Sequence, residues 1–153
     1  MLNPQLTPFC TELTGITQEQ VDSGVPFPQA LSDHAHWLAS FANDENGMPK
    51  YTVVIVTCGD WDIGTCLPRQ LQLVGMSPSA LPTVYNRWIN IKRTFAQLPP
   101  YKKGRGMTEM LAKEGLPLVG HHHSGIDDSR NICNLIKHLI QVGAEPASDV
   151  VSR

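Results

Sequence analysis

No apolar run in this 153-residue chain approaches the roughly 20 residues that a membrane-spanning helix needs. The N-terminus, "MLNPQLTPFC", lacks the basic stretch followed by an apolar stretch that marks a secretory leader. The four cysteines, Cys10, Cys58, Cys66 and Cys133, are scattered and form no CxxC pair. That spacing speaks against a zinc knuckle and fits reduced thiols better than a disulfide framework. Repeats and low-complexity tracts are also missing. The net charge of −2 supplies no basic field, so nucleic-acid binding would need a local patch. These absences lead to the expectation of an intracellular protein, cytoplasmic or nuclear, with no membrane partner.

What is present is the composition of a globular domain, with 41% hydrophobic and 17% charged residues, in a length sufficient for one core. Residues 1–16, punctuated by Pro4, Pro8 and Gly15, read as extended or looped. Thr17 and Gln20 then form a capping box, so a short helix is expected there. A second helix follows Pro26, with Leu31, Ala35, Leu38 and Ala42 at helical spacing. After a turn at "DENGMPK", the run "YTVVIVT" (51–57) reads as a buried strand covered on both faces.

A helix is expected to begin near Asp62 and run toward Leu73. "WINIKRTF" (88–95) is either a second strand or an irregular segment. "MTEMLAKEGL" (107–116) reads as a helix. "DDSRNICNLIKHLIQVG" (127–143) reads as an amphipathic helix with Ile132, Leu135, Ile136, Leu139 and Ile140 on one face and Gly143 at its end. A lone buried strand needs neighbours on its edges, and this sequence offers one further candidate at most.

Two stretches carry the chemistry-bearing residues. In "TCGDWD" (57–62), Asp62 stands where a strand gives way to a helix, the place where open α/β sheets hold ligands. In "HHHSGIDDSRN" (121–131), Asp128 opens a helix and is either a cap or a ligand. His123 is a base, a ligand or a loop residue; an imidazole with a pKa of about 6.5 suits proton abstraction near neutrality. Zinc is disfavoured because adjacent histidines do not easily converge on one ion. Asp60, Asp127, His121 and His122 read as supporting or solvent-facing. The basic loop "KKGR" (102–105), with Lys92 and Arg93 upstream, is either a solvated loop or the local patch that nucleic acid would need. Together, Asp62, His123 and Asp128 suit metal-assisted hydrolysis of a phosphodiester, with hard carboxylate oxygens for Mg²⁺ or Mn²⁺ and an imidazole to activate water.

The chain resembles the DEDDh 3′–5′ exonucleases, specifically the Eri-type RNA exonucleases. The resemblance runs in order through "LTPFCTELTGITQEQVDSGVPFPQAL" (6–31), "TCGDWD" with "LPRQ", "WINIK" and "HHHSGIDDSRNI". It implies an α/β, ribonuclease H-like exonuclease fold, with a partial exonuclease domain over residues 1–145 and a C-terminal tail over 146–153. It also implies Asp62 and Asp128 as metal ligands, His123 as general base, Mg²⁺ (or Mn²⁺) as cofactor and RNA 3′ ends as substrate, with single-stranded DNA as the lesser alternative. Asp127 falls on the position next to the ligand. Trp61 either packs beneath the site or lies in the core, and Asn131 either supports the site or faces solvent.

The family's first motif, an Asp-x-Glu on its first strand, has no match. "DEN" (44–46) falls in a turn, and Glu12 is placed in a loop. The expectation is therefore an N-terminally truncated fold, with the first strands of the sheet absent and hydrolysis impaired. The alternative is a catalytically inactive remnant that binds RNA or protein.

Overall fold

The computed structural model describes residues 5–146 and 150–152. They fall into two compact units. Of these, one comprises residues 5–24 and 91–145, the other residues 25–90, 146 and 150–152.

The unit built on residues 25–90 opens with helix α3 (Phe27–Ala42), entered through Pro26 and Pro28. It closes through a turn in which the Asp44 carboxylate accepts the N–H groups of Asn46 and Met48, each at 2.9 Å. Strand β1 (Ile55–Thr57) follows and pairs in parallel with β2 (Arg87–Asn90), Val56 opposite Ile89. Strand β3 (Val150–Ser152) adds antiparallel to the other side of β2, giving the order β1-β2-β3. The strand expected over 51–57 is thus only three residues long and lies at an edge. Hydrogen bonding rather than β-branching sets a strand's length, and the partner strand is four residues long.

Between β1 and β2 the chain makes a wide π-helical turn (Asp62–Cys66) that continues as α4 (Leu67–Leu73). Pro68 has no N–H to close a regular turn, and the Leu67 N–H reaches back five residues to the Asp62 carbonyl. Leu31, Leu71, Leu81 and Tyr85 form the core of this unit, backed by Phe27, Ile55, Ile63 and Leu67.

The other unit begins with two short helices, α1 (Pro8–Thr14) and α2 (Gln18–Asp22). The capping box at Thr17 is present as expected. Helix α1, however, occupies a stretch expected to be looped, and it carries Glu12. Its proline and glycine are boundary signals: Thr7 caps the end, Pro8 sits in the first turn, where its missing N–H costs nothing, and Gly15 closes it at φ 73°.

Helices α5 (Ile91–Gln97) and α6 (Met107–Lys113) both pack on α7 (Gly125–Gln141). Ile91, Phe95, Met110, Leu111, Leu135 and Leu139 are fully buried. Each such side chain contributes about 1.5–3 kcal/mol relative to exposure. "WINIKRTF" proves to be a strand for its first residues and a helix for the rest. The face expected on α7 is rotated: Ile140 is 52% exposed and Asn131 is fully buried.

Candidate active site

The segment 119–131 is held by three polar anchors. The Asn131 side chain donates to the carbonyls of Val119 and Asp127, both at 2.8 Å, and accepts the Val119 N–H at 2.9 Å. Asp127 Oδ2 accepts the His121 N–H at 3.0 Å, and Oδ1 pairs with Arg130 at 3.2 Å. The His121 N–H, more than any other group, holds the Asp127 carboxyl below the ordinary aspartate pKa; partial burial opposes it, and Ser124 and Arg130 add to it. Gly120, at φ 74°, makes this approach possible, since a Cβ there would lie 2.3 Å from Asp127 Cγ.

The third anchor is Asp128. The Ser124 N–H returns to the His121 carbonyl at 3.1 Å and closes a turn in which His123 adopts φ 75°. That conformation is uncommon for a side-chain-bearing residue, and histidine is among those that tolerate it. It directs the His123 N–H at both oxygens of Asp128, at 3.2 and 3.3 Å. It also stacks the His122 and His123 rings, with centroids 3.9 Å apart.

His122 Nδ1 lies 3.0 Å from Asp128 Oδ1. Ligand atoms of His122, His123 and Asp128 all fall within 4.8 Å of one another. Adjacent histidines therefore do converge here, because the turn departs from the regular geometry that spacing rules assume. The structure brings His123 and Asp128 together and adds His122, which spacing alone leaves peripheral. Helix α7 begins at Gly125, so Asp128 lies inside the first turn and reaches back past the helix end instead of capping it.

Asp62 belongs to the other unit. It begins the π-helical turn, is exposed, and lines a mostly apolar cavity of about 460 Å³ with Phe27, Leu31, His34, Ile63 and Tyr85. His34 Nδ1 and the Tyr85 hydroxyl are 2.5 Å apart, and burial raises the Tyr85 pKa. Asp60 has a supporting role, accepting the Trp88 indole N–H at 2.9 Å. Trp61 is neither beneath a site nor in the core. It is 59% exposed, with the Arg69 guanidinium 5.4 Å from its ring.

The basic loop lines a cavity of about 440 Å³ with Tyr101, Lys102, Lys103 and Arg105, and Lys113 of α6 completes it. No sequence signal links Lys113 to the loop, since their proximity is tertiary. No helix among the described residues is long and apolar enough to cross a membrane.

This fold and these motifs match known proteins. The family model described as Exonuclease (RNase_T) matches residues 2–136. ERI1 exoribonuclease 3 of Homo sapiens is 37% identical over 145 residues, which cover 94% of this chain and 41% of that protein. The 3′-5′ exoribonuclease 1 of Rattus norvegicus is 40% identical over 147 residues, covering 94% and 40% respectively. Among solved structures, the nuclease domain of 3′hExo, a DEDDh family member bound to rAMP, superposes with a TM-score of 0.82 at 34% identity. That match covers 95% of this chain and 70% of that one.

A second structure concerns 3′-end specific recognition of histone mRNA stem-loop by 3′-exonuclease. It gives a TM-score of 0.80 at 31% identity, over 100% of this chain and 53% of that one. The chain belongs to the DEDDh 3′–5′ exonuclease family, of the Eri type, and has its α/β, ribonuclease H-like fold. It spans about two fifths of the length of the curated relatives. Those relatives are named as exoribonucleases, and the family generally depends on divalent metal ions.

Proposed function

We propose that this chain carries the general base and two metal-ligating acids of a 3′–5′ exonuclease acting on RNA. The observation that supports this most is local: His123 is tied through its own N–H to both oxygens of Asp128, in a motif that matches the family. Asp62 and Asp128 would hold Mg²⁺ or Mn²⁺, and their exposed and half-buried carboxylates are hard oxygen donors suited to those ions. Asp128 accepts hydrogen bonds and still retains lone pairs for an ion.

A bound divalent ion would neutralise phosphate charge and acidify water. The exposed His123 ring would take a proton from the attacking water. Water oxygen then bonds to phosphorus as the bond to the 3′ oxygen breaks, leaving a nucleoside 5′-monophosphate and an RNA one residue shorter. The cationic cavity of Lys102, Lys103, Arg105 and Lys113 suits the phosphates of the remaining strand. RNA rather than DNA is supported by the names of the relatives and by the histone mRNA complex. Single-stranded DNA is the lesser alternative.

These 153 residues contain no Asp-x-Glu on an apolar strand, so two of the family's four acidic ligands have no counterpart, and hydrolysis by this stretch is weak. That same feature, beside the basic cavity, favours a second reading, a remnant that binds RNA without cutting it. Incubation of 5′-labelled single-stranded RNA with Mg²⁺ or Mn²⁺ separates the two. A slow, metal-dependent ladder of 3′ shortening that chelation stops is the expected result. Binding without shortening supports the second reading, and neither binding nor shortening contradicts both.

A further inference from the structure

We propose that His122, His123 and Asp128 form a site for a zinc-class divalent ion, distinct in chemistry from the oxygen-ligated ions of the hydrolytic reading. All three ligands lie within seven consecutive residues of one unit. A ring nitrogen from each histidine and a carboxylate oxygen of Asp128 fall within 4.8 Å of one another. His122 Nδ1 already stands 3.0 Å from Asp128 Oδ1. Tetrahedral zinc, with ligand bonds of about 2.0–2.2 Å, sets its ligand atoms about 3.4 Å apart. The widest pair must therefore close by roughly 1.4 Å, a movement that rotation of the exposed His123 ring can provide.

Local backbone geometry accounts for the convergence. His123 at φ 75° stacks its ring on that of His122, and Asp128 is fixed by the His123 N–H. The start of α7 opposes a cation through the helix dipole, and Asp127 and Asp128 in the first turn offset that field. A cavity of about 300 Å³ opens beside His122, with Glu12 on its wall. It leaves room for the water that completes a three-ligand zinc site, and Glu12 adds negative charge.

The donor set decides the metal. Two imidazoles and one carboxylate suit zinc, whereas Mg²⁺ prefers oxygen ligands and parts with its water reluctantly. The binding claim stands on geometry alone. Its consequence rests on the exonuclease reading: zinc engages the His123 lone pair that would accept the proton, and the Asp128 oxygen that would hold magnesium, so zinc silences hydrolysis.

The test is calorimetric titration of the whole chain with zinc chloride, followed by Co²⁺, whose tetrahedral complexes absorb strongly in the visible. One zinc per chain is expected, with affinity falling about tenfold or more in both His122→Ala and His122→Gln while circular dichroism shows unchanged melting. Absence of zinc binding, or equal affinity in the variants (placing the ion elsewhere, on cysteine thiols for example), overturns the site. Zinc-saturated chain that shortens RNA at the zinc-free rate overturns the silencing. Failure of the exonuclease reading appears separately, as no shortening in zinc-free magnesium.

Discussion

Asn131 and Val119 make a two-way amide pair. The Asn131 Nδ2 group donates to the Val119 carbonyl at 2.8 Å, and Oδ1 accepts the Val119 N–H at 2.9 Å. A fully buried side chain thus supplies both backbone partners of the segment that enters the histidine turn. Replacing it with leucine, of the same branched shape though larger, removes the side-chain partners of both Val119 groups. An unpaired buried group costs about 1–3 kcal/mol; Val119 is itself exposed, so water covers part of the loss and Asn131→Leu is expected to cost about 1–2 kcal/mol in urea unfolding. A loss below about 0.5 kcal/mol would mean that water replaces the pair and that Asn131 does not fasten the loop.

Asp127 makes stability depend on pH. Its folded-state pKa is depressed, chiefly by the His121 N–H. A depressed carboxylate stabilises the fold above the unfolded-state pKa of about 3.9, and the contribution is lost as pH falls through the lower folded value. The melting-temperature difference between the native chain and Asp127→Asn is therefore expected to be constant above about pH 5 and to shrink below about pH 4. A difference that grows on acidification would contradict the sign.

The proposed function sets the phosphates of the strand against the cavity that Lys102 and Lys103 line. Substituting both with glutamine is expected to weaken binding of single-stranded RNA. The slope of log affinity against log salt should fall by roughly 1.4, at about 0.7 for each phosphate no longer neutralised. An unchanged slope would return the loop to the solvated role that its sequence also allows.

The elements most legible in the sequence are those with end signals. Thr17 and Gln20 announce α2, and Leu135 and Leu139 announce the buried face of α7. Helix α1 is not legible in the same way, because Pro8 and Gly15 can break a helix or bound one, and here they are a start and a stop. The strand at 51–57 is overestimated because β-branching reports a preference for extended backbone, while strand length follows the partner strand; only Thr57 of the run is buried. Within the site, Asp128 and His123 are legible as a motif. The involvement of His122 is not, because it depends on a positive φ at His123, which no pattern of residue types announces. The roles of Asn131 and Lys113 are tertiary, and neither carries a periodic signal pointing to them.

Asp128→Asn retains an oxygen able to accept the His123 N–H but removes an anionic ligand. Metal-dependent shortening of RNA is expected to fall more than about a hundredfold, beyond the effect typical of an outer-shell partner. The melting temperature should change little, since the helix-dipole contribution is about 0.3–1 kcal/mol. Cutting at the unmodified rate would remove Asp128 from the site.

The central proposal is that Asp128 holds a divalent ion beside His123. Paramagnetic Mn²⁺, followed through the ring resonances of His123, tests it without requiring turnover. In the native chain those resonances should broaden at low Mn²⁺, and Asp128→Asn should require about tenfold or more Mn²⁺ for the same broadening. Identical Mn²⁺ dependence in Asp128→Asn and the native chain would show that Asp128 takes no part in holding that ion.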